Sequence, residues 1–210
     1  MTEELEEYIL RHTSPEPEHL YRLWRDTNLK TVHGRMASGH LQGRLLKMFV
    51  QMIRPKTILE IGTFSGYSSI SMAEGLEFGS KVYTFEINDE MEDFTRPWIE
   101  NSPVADRIDF RIGDALVEAP KLGIMFDMAF LDGDKRTYCD CYDMLLDIVR
   151  PGGFIIADNT LWDGHVVDET YAHDQQTQGV HKFNEYVAKD LRVEQVILPL
   201  RDGLTIIRKL

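Results

Sequence analysis

Short apolar runs alternate with stretches of helical periodicity over most of the chain. Buried strands of a parallel sheet have this short apolar character, and we predict strands at 58–61, 82–86, 108–112, 125–131 and 154–157. Segments with apolar residues at helical spacing separate these runs. The alternation predicts an α/β protein whose mostly parallel sheet is covered by helices on both faces.

Helical periodicity also precedes the first strand. We predict two short helices at 3–11 and 16–29, and a third helix that ends before Pro55. The chain length of 210 residues suits one domain. We therefore expect a single domain over 1–210, with a helical extension at 1–35 and a core at 36–210 that forms one α/β unit.

The C-terminal part of the chain follows a different pattern. The polar stretch 160–179 predicts a long loop, and a helix is expected from Val180. Residues 193–199 and 204–210 alternate around a turn, which predicts two antiparallel strands. One of them should run antiparallel to the rest of the sheet.

The first predicted strand leads into a glycine turn, TILEIGTFSGYSSI at 57–70. Gly62 and Gly66 bracket the turn, and Ser65, Ser68 and Ser69 are predicted to cap the next helix. A strand, a glycine turn and a helix N-terminus form a nucleotide site in doubly wound folds. The glycine spacing differs from GxGxxG, and the bulk of Phe64 disfavours a pyrophosphate.

Acidic residues follow this turn in a pattern that suits an adenosyl ligand. Glu60 lies inside an apolar strand, where a carboxylate needs a partner such as a ligand ammonium group. Glu86 ends the second strand, where it can accept hydrogen bonds from ribose hydroxyls. S-adenosylmethionine has both groups and no phosphate; the alternative is a plain turn with a structural Glu60. Asp114, after the third strand, could hold the base or cap the next turn.

Oxygen donors stand at the ends of the fourth and fifth strands. Asp132, Asp158 and Asn159 should meet at one edge of the sheet and suit Mg²⁺, with Mn²⁺ or Ca²⁺ as other possibilities. Asp and Asn are also common turn and cap residues, which is the alternative. Asp134 is a fourth ligand, a partner of the ligands, or a solvated charge.

Lys135 lies three residues beyond Asp132. A cation beside the amine would favour its neutral form, which accepts a proton. If an acceptor offered two adjacent hydroxyls to the cation, their acidity would rise. The sequence thus predicts methyl transfer to oxygen with Lys135 as the base.

Composition and charge limit the classes of partner that the protein is expected to bind. The net charge is −12 and the sequence pI is about 5.0, so nucleic acid is an unfavourable partner. The N-terminus lacks the basic start and apolar core of a signal peptide, so we expect a cytoplasmic protein without membrane contact. Cys139 and Cys141 have no further cysteine partners and are expected to be reduced thiols.

With these residues in hand, the chain resembles the cation-dependent O-methyltransferases of the catechol and caffeoyl-CoA type. The resemblance covers residues 36–210 and includes ILEIGTFSGYSS, FEIND, GDA, FLDGDK, ADNTLWDG and DGLTIIRK, in family order. It implies a seven-stranded Rossmann-like class I methyltransferase fold, S-adenosylmethionine and a divalent cation as cofactors, and a homodimer. The methyl acceptor it implies is a small aromatic compound with vicinal hydroxyls.

The resemblance also implies roles for individual residues. The metal positions are Asp132, Asp158 and Asn159, the catalytic positions are Lys135 and Asp132, and the acceptor-binding positions are Trp162 and Lys135. The cofactor positions are Ser38, Glu60, Gly62, Phe64, Ser68, Glu86, Asp114, Ala115 and Asp132. Two other functions stay open: methylation of a hydroxylated tRNA nucleoside, and a catalytically silent protein that binds S-adenosylmethionine.

Overall fold

A sheet of seven strands forms the centre of the fold in the computed structural model, which describes residues 2–210. The strand order is β3-β2-β1-β4-β5-β7-β6. The strands are β1 (Thr57–Ile61), β2 (Lys81–Glu86), β3 (Ile108–Ile112), β4 (Phe126–Leu131), β5 (Val149–Asp158), β6 (Val193–Leu198) and β7 (Leu204–Lys209).

Strand directions agree with the sequence pattern. The pairs β1 with β4, β4 with β5, and β2 with β3 are parallel. β7 pairs antiparallel with both β5 and β6. The predicted mostly parallel sheet with one strand reversed against it is therefore confirmed.

Helices alternate with the strands. They are α1 (Glu3–Arg11), α2 (Glu18–Lys30), α3 (Gly39–Ile53), α4 (Tyr67–Ala73), α5 (Glu92–Glu100), α6 (Ala115–Glu118), α7 (Tyr138–Ile148) and α8 (Gln175–Ala188). Among residues 2–210, no helix has the length and apolar character needed to cross a lipid bilayer.

Two expectations about helix starts are wrong. α8 begins at Gln175 rather than Val180, because the Asp174 carboxylate caps it and accepts hydrogen bonds from the Thr177 backbone N–H at 2.7 Å and hydroxyl at 2.8 Å. The N-cap of α4 is Gly66, with φ of 84°, and not a serine. Ser68 and Ser69 are instead buried within the first turn of that helix.

Contacts divide the chain into two compact units. The first unit contains the residues up to Lys56 together with Thr63–Ile112. Its core includes Leu20, Leu23, Leu46, Val50, Tyr67 and Met72, all at most 1% exposed. A buried ion pair joins Arg44 to Glu74 at 2.8 Å.

The second unit contains Thr57–Gly62 together with Gly113–Leu210. Apolar side chains from its strands and from α7 and α8 form its core, among them Phe126, Phe130, Ile155, Tyr142, Leu145 and Phe183. Cys139 and Cys141 on α7 are free thiols, as predicted. Burial raises the pKa of Cys141 to about 11, so that thiol is protonated at neutral pH.

Candidate functional site

The register of β4 against β5 sets the position of the acidic strand ends in the second unit. Leu131 is paired with Ala157, so Asp132 and Asp158 come next on neighbouring strands. Asp158 is 4% exposed, and the Asp132 side chain is 21% exposed. Asn159 follows directly, and its backbone N–H donates to the Asp158 Oδ1 at 2.8 Å. The predicted neighbours are thus brought to one edge of the sheet.

The structure shows why residue 62 is a glycine, a reason that sequence reasoning missed. A Cβ atom at this position would lie 2.2 Å from the Asp132 carbonyl oxygen. The adjacent Ile61 carbonyl accepts a hydrogen bond from the Asp132 N–H at 2.9 Å. The absence of a side chain at Gly62 therefore lets the ends of β1 and β4 approach each other and fixes the backbone of Asp132.

Lys135 is buried, with 5% of its surface exposed. Its Nζ donates to the Asp132 Oδ1 at 3.0 Å and to the Tyr138 hydroxyl at 2.8 Å. The ring centroid of Trp162 lies 5.7 Å from the same nitrogen. The structure therefore groups the predicted base with one predicted metal position and with the predicted acceptor-binding residue.

The backbone of Lys135 packs against α8. Its N–H donates to the Gln176 Oε1 at 3.1 Å. A Cβ atom at Gly179 would lie 2.4 Å from the Lys135 carbonyl oxygen. Because α8 begins earlier than predicted, this helix supports the lysine.

Tyr138 is a residue of this site that sequence reasoning missed. Its hydroxyl is within 3.0 Å of the Asp158 carbonyl oxygen and 3.2 Å of the Leu131 carbonyl oxygen, both possible acceptors of its single proton. Burial, then the negative charges of Asp132 and Asp158, raise the pKa of this phenol. The signal in the sequence was the spacing of three residues from Lys135, which places both on one turn.

Asp134 caps the turn formed by Lys135–Thr137. Its carboxylate pairs with the Arg136 guanidinium and accepts from the Arg136 backbone N–H at 3.0 Å. The hydrogen bond from the Arg136 side chain lowers the pKa of Asp134 to about 2. Of the three alternatives stated for Asp134, this geometry is nearest to the solvated charge, since the residue is exposed and paired with Arg136.

The loop after β5 has an unusual backbone. Asn159, Trp162 and Asp163 have positive φ values of 56°, 48° and 53°. The intervening Thr160 is anchored by its N–H to the Gly203 carbonyl at 3.1 Å and by its carbonyl to the Asn184 Nδ2 at 2.7 Å. These anchors hold residues on both sides of Thr160 in a conformation that non-glycine residues seldom adopt.

The donor set suits a hard divalent cation. Asp132 and Asp158 supply carboxylate oxygens from neighbouring strand ends, and Asn159 can supply an amide oxygen. Over residues 2–210, no three or more His, Cys, Asp and Glu side chains are grouped to hold a metal, so the candidate depends on two carboxylates and one amide. Such all-oxygen ligands favour Mg²⁺, Mn²⁺ or Ca²⁺ over softer metals.

In the first unit, the glycine turn is held by Glu86. Its Oε2 accepts from the Phe64 N–H at 2.7 Å, and its Oε1 accepts from the Asn88 N–H at 2.9 Å. Phe64 has a φ of 47°, and its carbonyl accepts a hydrogen bond from the Thr95 hydroxyl. Glu86 therefore has a structural role in the turn beside the predicted role in ribose binding.

The other predicted cofactor positions lie in both units. Ser38 and Ser68 are buried in the first unit. In the second unit Glu60 and Ala115 are buried, and the Asp114 Oδ1 caps α6 by accepting from the Leu116 N–H at 2.9 Å. The cap is the structural alternative that the sequence left open for Asp114.

Comparison with known proteins identifies the family of this chain. The profile of the O-methyltransferase family matches residues 10–210. The chain is 36% identical over 206 residues to a caffeoyl-CoA O-methyltransferase of Mesembryanthemum crystallinum, covering 93% of this chain and 81% of that protein. It is 33% identical to caffeoyl-CoA O-methyltransferase 1 of Arabidopsis thaliana, covering 100% and 85%. The chain therefore belongs to the O-methyltransferase family, as the motifs indicated.

Solved structures give the same result for the fold. An O-methyltransferase from Bacillus cereus in complex with SAH is 30% identical, with a TM-score of 0.89 over 98% of this chain and 97% of that one. The O-methyltransferase TomG from Streptomyces achromogenes, in complex with SAM, is 27% identical with a TM-score of 0.89 over 100% and 99%. The predicted Rossmann-like methyltransferase fold is confirmed.

Proposed function

We propose that this enzyme transfers the methyl group of S-adenosylmethionine to a hydroxyl of a small aromatic acceptor with vicinal hydroxyls, and that a divalent cation, first of all Mg²⁺, is required. The observation that most favours this function is the buried Lys135 amine. It is hydrogen-bonded to the Asp132 Oδ1 at 3.0 Å, and Asp158 supplies a second carboxylate at the end of the neighbouring strand. A proton acceptor next to hard oxygen donors suits the deprotonation of a hydroxyl.

The comparisons support the methyl donor and the acceptor class. Two solved relatives are described with SAH or SAM bound, and the curated relatives are named for caffeoyl-CoA. By its name, the acceptor of those relatives is an acyl-CoA thioester. A catechol-like acceptor for this chain follows from that likeness and from the donor set described above.

The proposed metal would be held by Asp132, Asp158 and Asn159. When bound, a divalent cation supplies positive charge that makes a neighbouring hydroxyl more acidic. Lys135 would accept the hydroxyl proton at Nζ. Burial of that amine keeps the proton transfer away from bulk water, and the Trp162 ring provides an apolar surface for an aromatic acceptor.

The protein's main contribution is alignment. Methyl transfer from a sulfonium to an oxygen anion consumes both charges, so the site gains little from stabilising charge in the transition state. Good alignment of the two reacting groups can contribute about 7 to 11 kcal/mol. The rigid anchoring of the loop after β5 and of Lys135 on α8 is consistent with that requirement.

The test is a methyl-transfer assay with S-adenosylmethionine, Mg²⁺ and a panel of catechols and caffeoyl-CoA, read out by mass spectrometry as the gain of one CH₂. We expect transfer to at least one vicinal diol, loss of transfer with a chelator, and recovery with added Mg²⁺. Matched acceptors with a single hydroxyl serve as controls. Absence of transfer to any vicinal diol, or full transfer in the presence of the chelator, would contradict the proposal. The homodimer and the cytoplasmic location stay predictions.

A further inference from the structure

Tyr138 is a buried residue with its polar atom inside the proposed site. It is 0% exposed and begins α7, one turn after Lys135. Its ring packs edge-on against Phe183 with centroids 5.3 Å apart. This packing fixes the ring, so the hydroxyl position is set by the protein core and not by solvent.

The hydroxyl connects the lysine to both strand ends. It accepts from the Lys135 Nζ at 2.8 Å, and it can donate its one proton to the Asp158 carbonyl at 3.0 Å or the Leu131 carbonyl at 3.2 Å. Because a backbone carbonyl takes the phenol proton, the oxygen lone pair faces the amine. The phenol therefore acts as an acceptor toward Lys135.

Two hydrogen bonds determine how the Lys135 amine can rotate. The nitrogen is tetrahedral, with one bond to its own side chain and three other positions. The Asp132 Oδ1 and the Tyr138 hydroxyl are placed to accept hydrogen bonds from two of these positions, at 3.0 and 2.8 Å. These two bonds leave one tetrahedral position of the nitrogen, and its direction is fixed. Without the phenol, the amine could rotate and that position would have no fixed direction.

We propose that Tyr138 is the positioning residue of Lys135, and that its hydroxyl fixes the direction in which the amine nitrogen faces the hydroxyl of the methyl acceptor. The inference rests on the proposed function, in which Lys135 accepts the acceptor's proton. It adds a residue that acts through the base without touching the substrate.

The experiment compares Tyr138→Phe with Tyr142→Phe. Both tyrosines are buried on α7, and both pack edge-on against Phe183, at 5.3 and 6.0 Å between centroids. The Tyr142 hydroxyl, however, bonds to the Asp190 Oδ2 at 3.0 Å, away from Lys135. Each variant removes one buried hydroxyl and keeps the ring, so the pair separates positioning from a general loss of stability.

Steady-state kinetics give the first readout. We expect Tyr138→Phe to lower kcat by about 10- to 100-fold with little change in the KM of either substrate, the size expected for a misplaced reacting group. Tyr142→Phe should keep the wild-type kcat. In a Lys135→Met background, Tyr138→Phe should lower kcat no further, since the phenol then has no amine to orient. A wild-type kcat in Tyr138→Phe, or an equal loss in both backgrounds, would overturn the proposal.

A second readout does not need turnover. Labelling of intact protein with acetic anhydride, followed by mass spectrometry of the Lys135 peptide, measures how freely the amine moves. We expect faster labelling of Lys135 in Tyr138→Phe than in wild type or Tyr142→Phe. Identical labelling in all three proteins would refute the positioning role even if no acceptor is found, whereas an inactive wild type with faster labelling in Tyr138→Phe would count only against the proposed reaction.

Discussion

Single residues at the strand ends have more than one task. Gly62 was expected from sequence to bracket the glycine turn and to be a cofactor position. In the structure a Cβ atom there would also lie only 2.2 Å from the Asp132 carbonyl oxygen. Glu86 likewise accepts from two backbone N–H groups of the glycine turn. Residue types alone could identify these positions but not their neighbours, because contacts across strands depend on register.

Glu86 allows a prediction at this scale. We expect Glu86→Ala to weaken S-adenosylmethionine binding by about 1 to 3 kcal/mol, as for a lost hydrogen bond to a charged group, and to lower stability as well. Isothermal calorimetry on protein shown to be folded by circular dichroism measures the affinity.

A matched control removes the turn restraint without the carboxylate. Thr95→Val deletes the hydroxyl that donates to the Phe64 carbonyl. If Thr95→Val weakens binding as much as Glu86→Ala, the effect comes from a loosened turn, and Glu86 does not contact the ribose.

Elements were predicted best where the apolar pattern is strong. The five parallel strand segments and the C-terminal antiparallel pair were expected within a few residues, except that β5 starts at Val149 rather than at residue 154. The first turn of α8 was missed because it lies in a polar stretch and depends on the Asp174 cap. The missed segment 175–179 includes Gln176 and Gly179, the residues that support Lys135.

Gly179→Ala tests this support. Alanine normally stabilises a helix interior relative to glycine by about 1 kcal/mol. Here the new methyl group would lie 2.4 Å from the Lys135 carbonyl oxygen, so the backbone of the lysine must move. We expect kcat to fall about 100-fold, the cost of a displacement near 1 Å, and the Tm to fall rather than rise.

The control for this prediction lies on the exposed face of α8. His181→Ala changes a solvent-exposed residue of the same helix and should leave kcat and Tm near wild type. A Gly179→Ala enzyme with a wild-type kcat and a raised Tm would show that α8 does not position Lys135.

The end of α8 allows a prediction on pH. The Asp190 carboxylate accepts from the Arg192 guanidinium and from the Tyr142 hydroxyl, and the hydrogen bond from Arg192 lowers its pKa from 3.8 to about 2. A pKa lowered by folding contributes stability that is fully present above the unfolded value and is lost as the pH falls. The Asp190 contribution should therefore disappear between about pH 4 and pH 2.

Thermal unfolding of Asp190→Asn across this range measures the effect. At pH 7 the Tm should fall by about 2 to 4 °C, as expected for a loss near 1 kcal/mol in a chain of this size. The difference from wild type should shrink as the pH decreases from 4. Asp147→Asn, at an exposed position of α7, is the control and should change little at any pH. A difference of the same size at pH 7 and pH 3 would contradict this account.

At the scale of the whole molecule, family and fold were accessible from sequence because several motifs occur in a fixed order. Acceptor identity was not, because the loop with the proposed acceptor-binding residue Trp162 has positive φ values that the sequence does not reveal. The net charge of the protein also indicates which partners it can bind. A net charge of −12 opposes binding to a phosphate backbone.

This charge leads to a prediction about the tRNA alternative. We expect no binding of unmodified or hydroxylated tRNA tighter than about 10⁻⁴ M at physiological salt, the weak limit of non-specific binding. A filter-binding titration at several salt concentrations provides the measurement. Micromolar retention that weakens steeply with salt would instead favour a nucleic-acid substrate.

The loop after β5 has a consequence for engineering. Asn159, Trp162 and Asp163 hold positive φ values where glycine would be free of strain, at a cost of about 1 to 3 kcal/mol each. A directed-evolution screen for heat resistance alone would therefore enrich glycine at these positions. Such variants would lose the amide and the indole proposed to hold the cation and the acceptor. Libraries built for thermostability should keep this loop fixed, because selection for heat resistance and selection for turnover favour opposite residues there.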